Sequence, residues 1–275
     1  MSLEEFLDKS GRPYSEELGI DLKSCRSGEI CKWFLAAILF GARISEAIAK
    51  NTYGEFEKAG VTTARKIVET GWEGLVAILD AGGYVRYDFK TADKLLDVFG
   101  NLHRFYGGDL NKVHKEARDP RDLEERLKSL GRGVGDVTVA IFLRDMRYCW
   151  DKADPRPTSL VTLAMEHLGI EDLKRFAKDK GVDLVKLETM LVRLGRDLRK
   201  KKRTRIAYDE VRGMEELILD ILENIHPEEL SLKALSELTG SAKTYLARRV
   251  LSLRDEGKVT LRKTEEEVYC RFKGA

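Results

Sequence analysis

The chain has 275 residues, 43% hydrophobic and 8% aromatic, enough to bury a real core and too apolar for wholesale disorder. Lysine plus arginine exceed aspartate plus glutamate by only two (49 against 47), so any preference for a polyanion must come from where the charges sit. The best apolar run, "WFLAAILFGA", falls well short of the roughly 18 residues that span a bilayer, and "MSLEEFLDKSGRPY" lacks a basic-then-apolar leader, which implies a cytoplasmic protein with no membrane partner.

Charged residues make up 35% of the chain and glutamine is absent, a composition of the thermophile kind. Cys25, Cys31, Cys149 and Cys270 show no zinc or iron–sulfur spacing, so neither a metal nor a cluster is expected, and they read as scattered buried thiols. His103, His114, His167 and His226 are far apart and read as surface histidines.

Taken in order, the segments are helical, and the expected fold class is mainly α. "GEICKWFLAAILFGA" is apolar almost all round and belongs in a core. "TARKIVETG", "GWEGLVAILDAGG", "KTADKLLDVFGNLHRFYGG" and "DPRDLEERLKSLG" carry apolar residues three and four apart, and several stop at glycine. Two helices, about Leu123–Leu130 and Asp136–Arg147, flank the turn "GRGVG". Gly133 and Gly135 permit positive φ and close approach to a ligand, and the free amides opening the second helix, with Val134 in the turn, suit a phosphate. "TSLVTLAMEHLG" and "DLVKLETMLVRLGRDLRKK" continue the helical pattern. These segments define a helical region over residues 1–195.

Residues 196–208 form a dense basic stretch, read as a solvated linker or as a contact to phosphates. Residues 209–275 then give "MEELILDILENIH", "SLKALSELTG", a helix capped by Ser241, and two strands, "KVTLRK" and "EVYCRFK", across the turn "TEEE". Three helices and a hairpin match the winged helix-turn-helix pattern, whose third helix reads the major groove. Lys243, Thr244, Arg248 and Arg249 are its exposed candidates, while the acidic turn Glu265–Glu267 opposes DNA contact.

With the hairpin in place, the stretch from about Trp33 to Gly169 resembles the helix-hairpin-helix DNA glycosylase superfamily. The resemblance rests on "FLAAILFGARISEAI", on "LDAGGYVRYDFKTADKL", and on the hairpin followed by an aspartate. The bifunctional members have a lysine where this chain has Val137, and they end in a four-cysteine cluster that this chain lacks. The valine-aspartate-threonine-histidine signature is also missing. The closer likeness is to the monofunctional mismatch thymine and uracil glycosylases, which share the Ile141–Phe142 pair and the spacing from Gly135 to Asp154.

That resemblance implies double-stranded DNA as partner and a base flipped from the stack, with Asp154 stabilising the sugar cation or activating water. It implies Arg43 as the wedge, while Tyr84 and Trp150 are candidates for the base pocket and Lys152 for a phosphate contact. Asp154 reads equally as the cap of the next helix, and Asp151 is the rival carboxylate. A non-catalytic DNA-binding protein or regulator on the same scaffold is the alternative, and a protein-interaction scaffold is the third reading.

Overall fold

The structure is a computed structural model that describes residues 3–42 and 44–273. It is mainly α-helical with one small sheet, as expected, and it divides into two compact units, Met1–Leu198 and Arg199–Ala275. Among the described residues no helix is long and apolar enough to cross a membrane.

The first unit opens with α1 (Leu3–Ser10), α2 (Tyr14–Glu17) and a 3-10 turn at Leu22–Ser24. There follow α3 (Ser27–Phe40), α4 (Glu46–Lys58), α5 (Ala64–Ala81), α6 (Asp88–Tyr106), α7 (Leu110–Glu116), α8 (Pro120–Ser129) and α9 (Asp136–Met146). Next come α10 (Ser159–Leu168), α11 (Leu173–Lys180) and α12 (Leu184–Asn224). Helices start where a side-chain oxygen can take unpaired amides, as Ser45, Thr63, Asp119 and Thr158 do. Glycine closes α6, α10 and α11 at φ 64°, 68° and 62°. Gly71, at φ 67° and ψ 177°, divides α5 into the two segments that the sequence suggests.

Having no polar stripe, α3 is wrapped on every side. Phe34 meets Phe142 edge-on at 4.9 Å and Phe99 at 5.9 Å, and the Trp33 indole N–H donates to Phe142 O at 3.0 Å. A second core joins α10, α11 and the start of α12, with Phe6 and Leu7 of α1 against it. Mid-helix Gly195 makes this packing possible, because a Cβ there would stand 2.0 Å from Leu160 O.

A partly buried ionic network around the buried Tyr14 ties the first unit together. The Tyr14 hydroxyl donates to Glu46 Oε2 at 2.9 Å, and Glu46 also takes Arg196 at 2.6 Å and Lys50 at 2.7 Å. Lys50 reaches Glu17 at 2.6 Å, and Arg193 pairs with Glu17 at 2.7 Å while donating to Ser10 O and Arg12 O. The Arg193 guanidinium lies 4.6 Å from the Tyr14 ring centre. Nearby, Asp145 of α9 accepts from the Ser15 amide and hydroxyl and from Arg144.

Residues 196–208 lie inside α12, so the stretch expected as a linker is helical; it holds no Gly or Pro and is rich in Arg and Lys, good helix formers. The second unit continues with β1 (Leu230–Ser231), α13 (Leu232–Thr239), α14 (Lys243–Asp255), β2 (Val259–Lys263) and β3 (Val268–Phe272). The antiparallel sheet runs β1-β3-β2, with Leu230 opposite Cys270 and Val259 opposite Phe272. Its core gathers Ile218, Leu222, Leu235, Leu246, Val250 and Cys270. Two-residue β1 is too short to show alternation, so the sequence does not announce it. Ser241 does not cap α14; Ala242 holds that position, and the Ser241 hydroxyl donates to Thr239 O.

Gly195→Ala should cost about 1–3 kcal/mol by overpacking, read as a lower urea midpoint at unchanged slope. Burial alone would raise the Glu46 carboxyl, but hydrogen bonds from Lys50, Arg196 and Tyr14 outweigh it and hold it at about 2, against 4.5 for an ordinary glutamate. The contribution of this carboxylate is therefore complete above about pH 4.5 and lost as the pH falls towards 2. Glu46→Gln should remove on the order of 3 kcal/mol at neutral pH and flatten the stability profile between pH 2 and about 5 in thermal scans.

Candidate functional site

The α8–α9 hairpin is held against α6. Asp97 of α6 accepts the Arg132 amide at 2.9 Å, and Asn101 donates to Leu130 O at 2.9 Å and to Asp97 at 3.2 Å. Glycine is needed twice: a Cβ on Gly131 would stand 2.7 Å from Val98, and Gly133 lies at φ +88° with its Cα facing the Lys94 stem. Val134 is buried beneath the turn and its amide donates to Gly131 O at 3.3 Å, so of the expected phosphate contacts it is an anchor instead. The amides of Gly133 and Gly135 have no partner among the described residues. Gly135 opens α9 with no side-chain cap, leaving the first amides of that helix outward. Asp136 stands beside them, paired with Lys128 at 2.6 Å, which holds its carboxyl below the usual range.

A cavity of about 480 Å³ lies between α8, the start of α9 and the segment entering α10. Arg121, Lys128, Val137, Ala140, Pro155 and Arg156 are among its walls. Val137, 56% exposed, shows its apolar side chain there. Asp154 borders this wall. Its carbonyl accepts from Arg121 at 2.8 Å, its amide donates to Lys152 O at 2.9 Å, and its carboxylate pairs with Lys174 of α11 at 2.7 Å. Because Thr158 caps α10, Asp154 is not a helix cap.

The neighbouring candidates are placed otherwise. Trp150 is buried, its indole N–H donating to Asn111 at 2.8 Å and its ring stacked on His114 at 4.8 Å. Lys152 turns its ammonium to His114 O at 3.0 Å. Asp151, 81% exposed, contacts His114 Nε2 at 2.8 Å. His114, on α7, is thus packed against the Trp150–Lys152 segment rather than being a surface histidine. Burial lowers its pKa, against the pull of Asp151. Tyr84 is buried as well, with its hydroxyl donating to Leu39 O at 3.1 Å, and burial pushes it up to about 12. Neither Tyr84 nor Trp150 lines the cavity, so both expected pocket residues are core residues here: a large ring with one polar atom finds its partner inside.

Arg43 lies outside the described residues. The preceding Gly41 packs against α9 so closely that a Cβ would stand 2.2 Å from Thr138 Oγ1, which puts the start of that loop beside the hairpin's second helix.

Two of the four cysteines depart from the expected buried thiols. Cys25 and Cys149 are disulfide-bonded, with Cα atoms 5.5 Å apart, while Cys31 and Cys270 are free and buried. Separated by 124 positions, the bonded pair gives no spacing signal in the sequence. Among the described residues no three His, Cys, Asp or Glu side chains gather as a metal site.

On α14, Thr244 and Arg248 are exposed. Lys243 is paired with Glu267 at 3.2 Å and Arg249, half-buried, with Glu215 at 3.6 Å. The acidic turn therefore already occupies one of the four expected contacts.

The chain is a mainly α-helical protein in which α8, α9 and the segment after Asp154 line one cavity. No protein-family model matches it, and neither a curated protein nor a solved structure does.

Thiol titration of the denatured chain should find two reactive groups before reduction and four after it. Four from the start would mean that Cys25 and Cys149 are not joined.

Proposed function

We propose that the chain is a lysine-independent DNA N-glycosylase. In this reading α8–α9 is a helix-hairpin-helix that meets the DNA backbone, and residues 209–275 form a winged helix that adds grip. One observation carries it: the start of α9 and the segment that directly follows Asp154, from Pro155, line the same cavity, whose volume falls within the roughly 300–1,000 Å³ of small-ligand sites.

The chemistry follows from these groups. The bond between base and C1′ breaks with its electron pair leaving on the base, and the sugar becomes an oxocarbenium-like cation. A carboxylate beside C1′ stabilises that cation and takes the proton of the attacking water, whose oxygen forms the new bond to C1′. Asp154 has this role, and substrate displaces the exposed Lys174 ammonium from it. Apolar Val137 cannot form a Schiff base with the opened sugar, so the product is an intact abasic site at this position. The engaged state of Asp154, with Tyr84 and Trp150 buried, favours the second reading, a DNA-binding protein without catalysis.

Wild type and Asp154→Asn should be assayed on duplexes holding uracil, mismatched thymine, hypoxanthine, 8-oxoguanine or alkylated bases. The expected outcome is strand cleavage only after alkali, for one substrate, lost by at least about 100-fold in the variant with binding retained. Salt-sensitive binding with no base released from any duplex would transfer the function to the second reading.

A further inference from the structure

The first unit carries a surface that neither the cavity nor Asp154 uses. Along α6, Lys90 and Lys94 are one turn apart, and with Arg132 they line an open cleft of about 620 Å³ at the outer side of the hairpin turn. None of the three has a carboxylate partner among the described residues, in a protein whose cations are otherwise widely paired. Lys94 is the telling one. Its stem lies against Gly133, near enough that a Cβ there would stand 2.6 Å from Cε, and burial without an ion-pair partner lowers its pKa. Of the two aspartates in the cleft, Asp97 is spent on the Arg132 amide and on Asn101, leaving Asp93.

Next to Lys90 the cleft gives way to exposed aromatic rings. Phe89 is 56% exposed and Trp72 39%, their centroids 5.1 Å apart. Gly71 breaks α5 immediately before Trp72, so the ring is no longer bound to the face that the preceding residues bury. Water-exposed aromatic rings at the end of a row of free cations form the arrangement that holds unpaired strands, with phosphates on the cations and bases on the rings.

We propose that α6 and the hairpin turn form a track for an unpaired DNA strand, with phosphates on Arg132, Lys94 and Lys90 and a base stacked on Phe89 and Trp72. The proposal rests on the hairpin's being a DNA contact, and it adds that the substrate carries a single-stranded flank.

The test is fluorescence anisotropy with a blunt duplex and with the same duplex bearing a tail of about six nucleotides. The wild type is expected to bind the tailed form about tenfold more tightly. Phe89→Ser and Trp72→Ala should abolish that difference while leaving blunt-duplex affinity unchanged. Lys90→Ala and Lys94→Ala should each reduce the salt dependence of tail binding by about 0.7 in the log–log slope, and Asp93→Asn should strengthen it. A measurement that needs no variant is intrinsic fluorescence: Trp33 and Trp150 are buried, so quenching by a single-stranded oligonucleotide reports Trp72. Equal affinity for blunt and tailed duplexes, or no quenching, overturns the track even where the hairpin still binds DNA. Binding of the single strand with none of the blunt duplex would instead sink the hairpin reading and leave the track standing.

Discussion

The Glu46 carboxylate accepts hydrogen bonds from Tyr14, Lys50 and Arg196, which belong to α2, α4 and α12. It is the point at which remote parts of the first unit are fastened together. Removing charges from water is costly, and the cost is offset only when every oxygen finds a donor in good geometry. Here the donors are shared, since Lys50 and Arg193 both serve Glu17 as well, and Tyr14 lies under the Arg193 guanidinium. A cluster of this kind also imposes one register. Arg193 reaches the carbonyls of residues 10 and 12 only if the chain before α2 is brought back over α12, which is where Phe6 and Leu7 complete the second core.

The sequence announces what depends on local periodicity and leaves out what depends on distant pairs. Three- and four-residue spacing, caps and glycine stops reveal most of the longer helices, including the break at Gly71, because these signals are local, while α1, α2, α4, α7 and α11 are not singled out. The hairpin is legible for the same reason, since Gly133 and Gly135 mark a turn whatever surrounds it. The bonds from Tyr14 to Glu46 and Arg196, the Cys25–Cys149 bond and the stack of His114 on Trp150 join residues from 32 to 182 positions apart, and no spacing rule reaches them. The basic stretch at residues 196–208 reads as a linker because charge density resembles solvation, whereas the absence of Gly and Pro within it is the stronger fact and the helix runs through it.

Within the candidate site the same division holds. Asp154 is singled out by its distance from the hairpin, and the cavity beside α9 is lined from the next residue, Pro155, onward. The pocket residues are less legible, because an aromatic residue near a functional motif in sequence packs as readily into the core as into a ligand site. Tyr84 and Trp150 take the core, each giving its one polar hydrogen to an internal acceptor. Exposed rings lie instead at positions such as Trp72, Phe89 and Phe105, which no motif singles out.

The contact between the hairpin turn and α6 has an evolutionary consequence. Gly131 is confined by Val98, and Gly133 by the stem of Lys94, so the room available to the turn is set by side chains some 35 positions earlier. The restriction is mutual: a longer side chain at position 98 would displace the turn as surely as a methyl group on Gly131. Positions 94, 97, 98 and 101 are therefore expected to change in concert with 130–133 or not at all. Descendants of this chain that remodel the turn should carry their compensating changes on α6 rather than on the two helices that the turn connects.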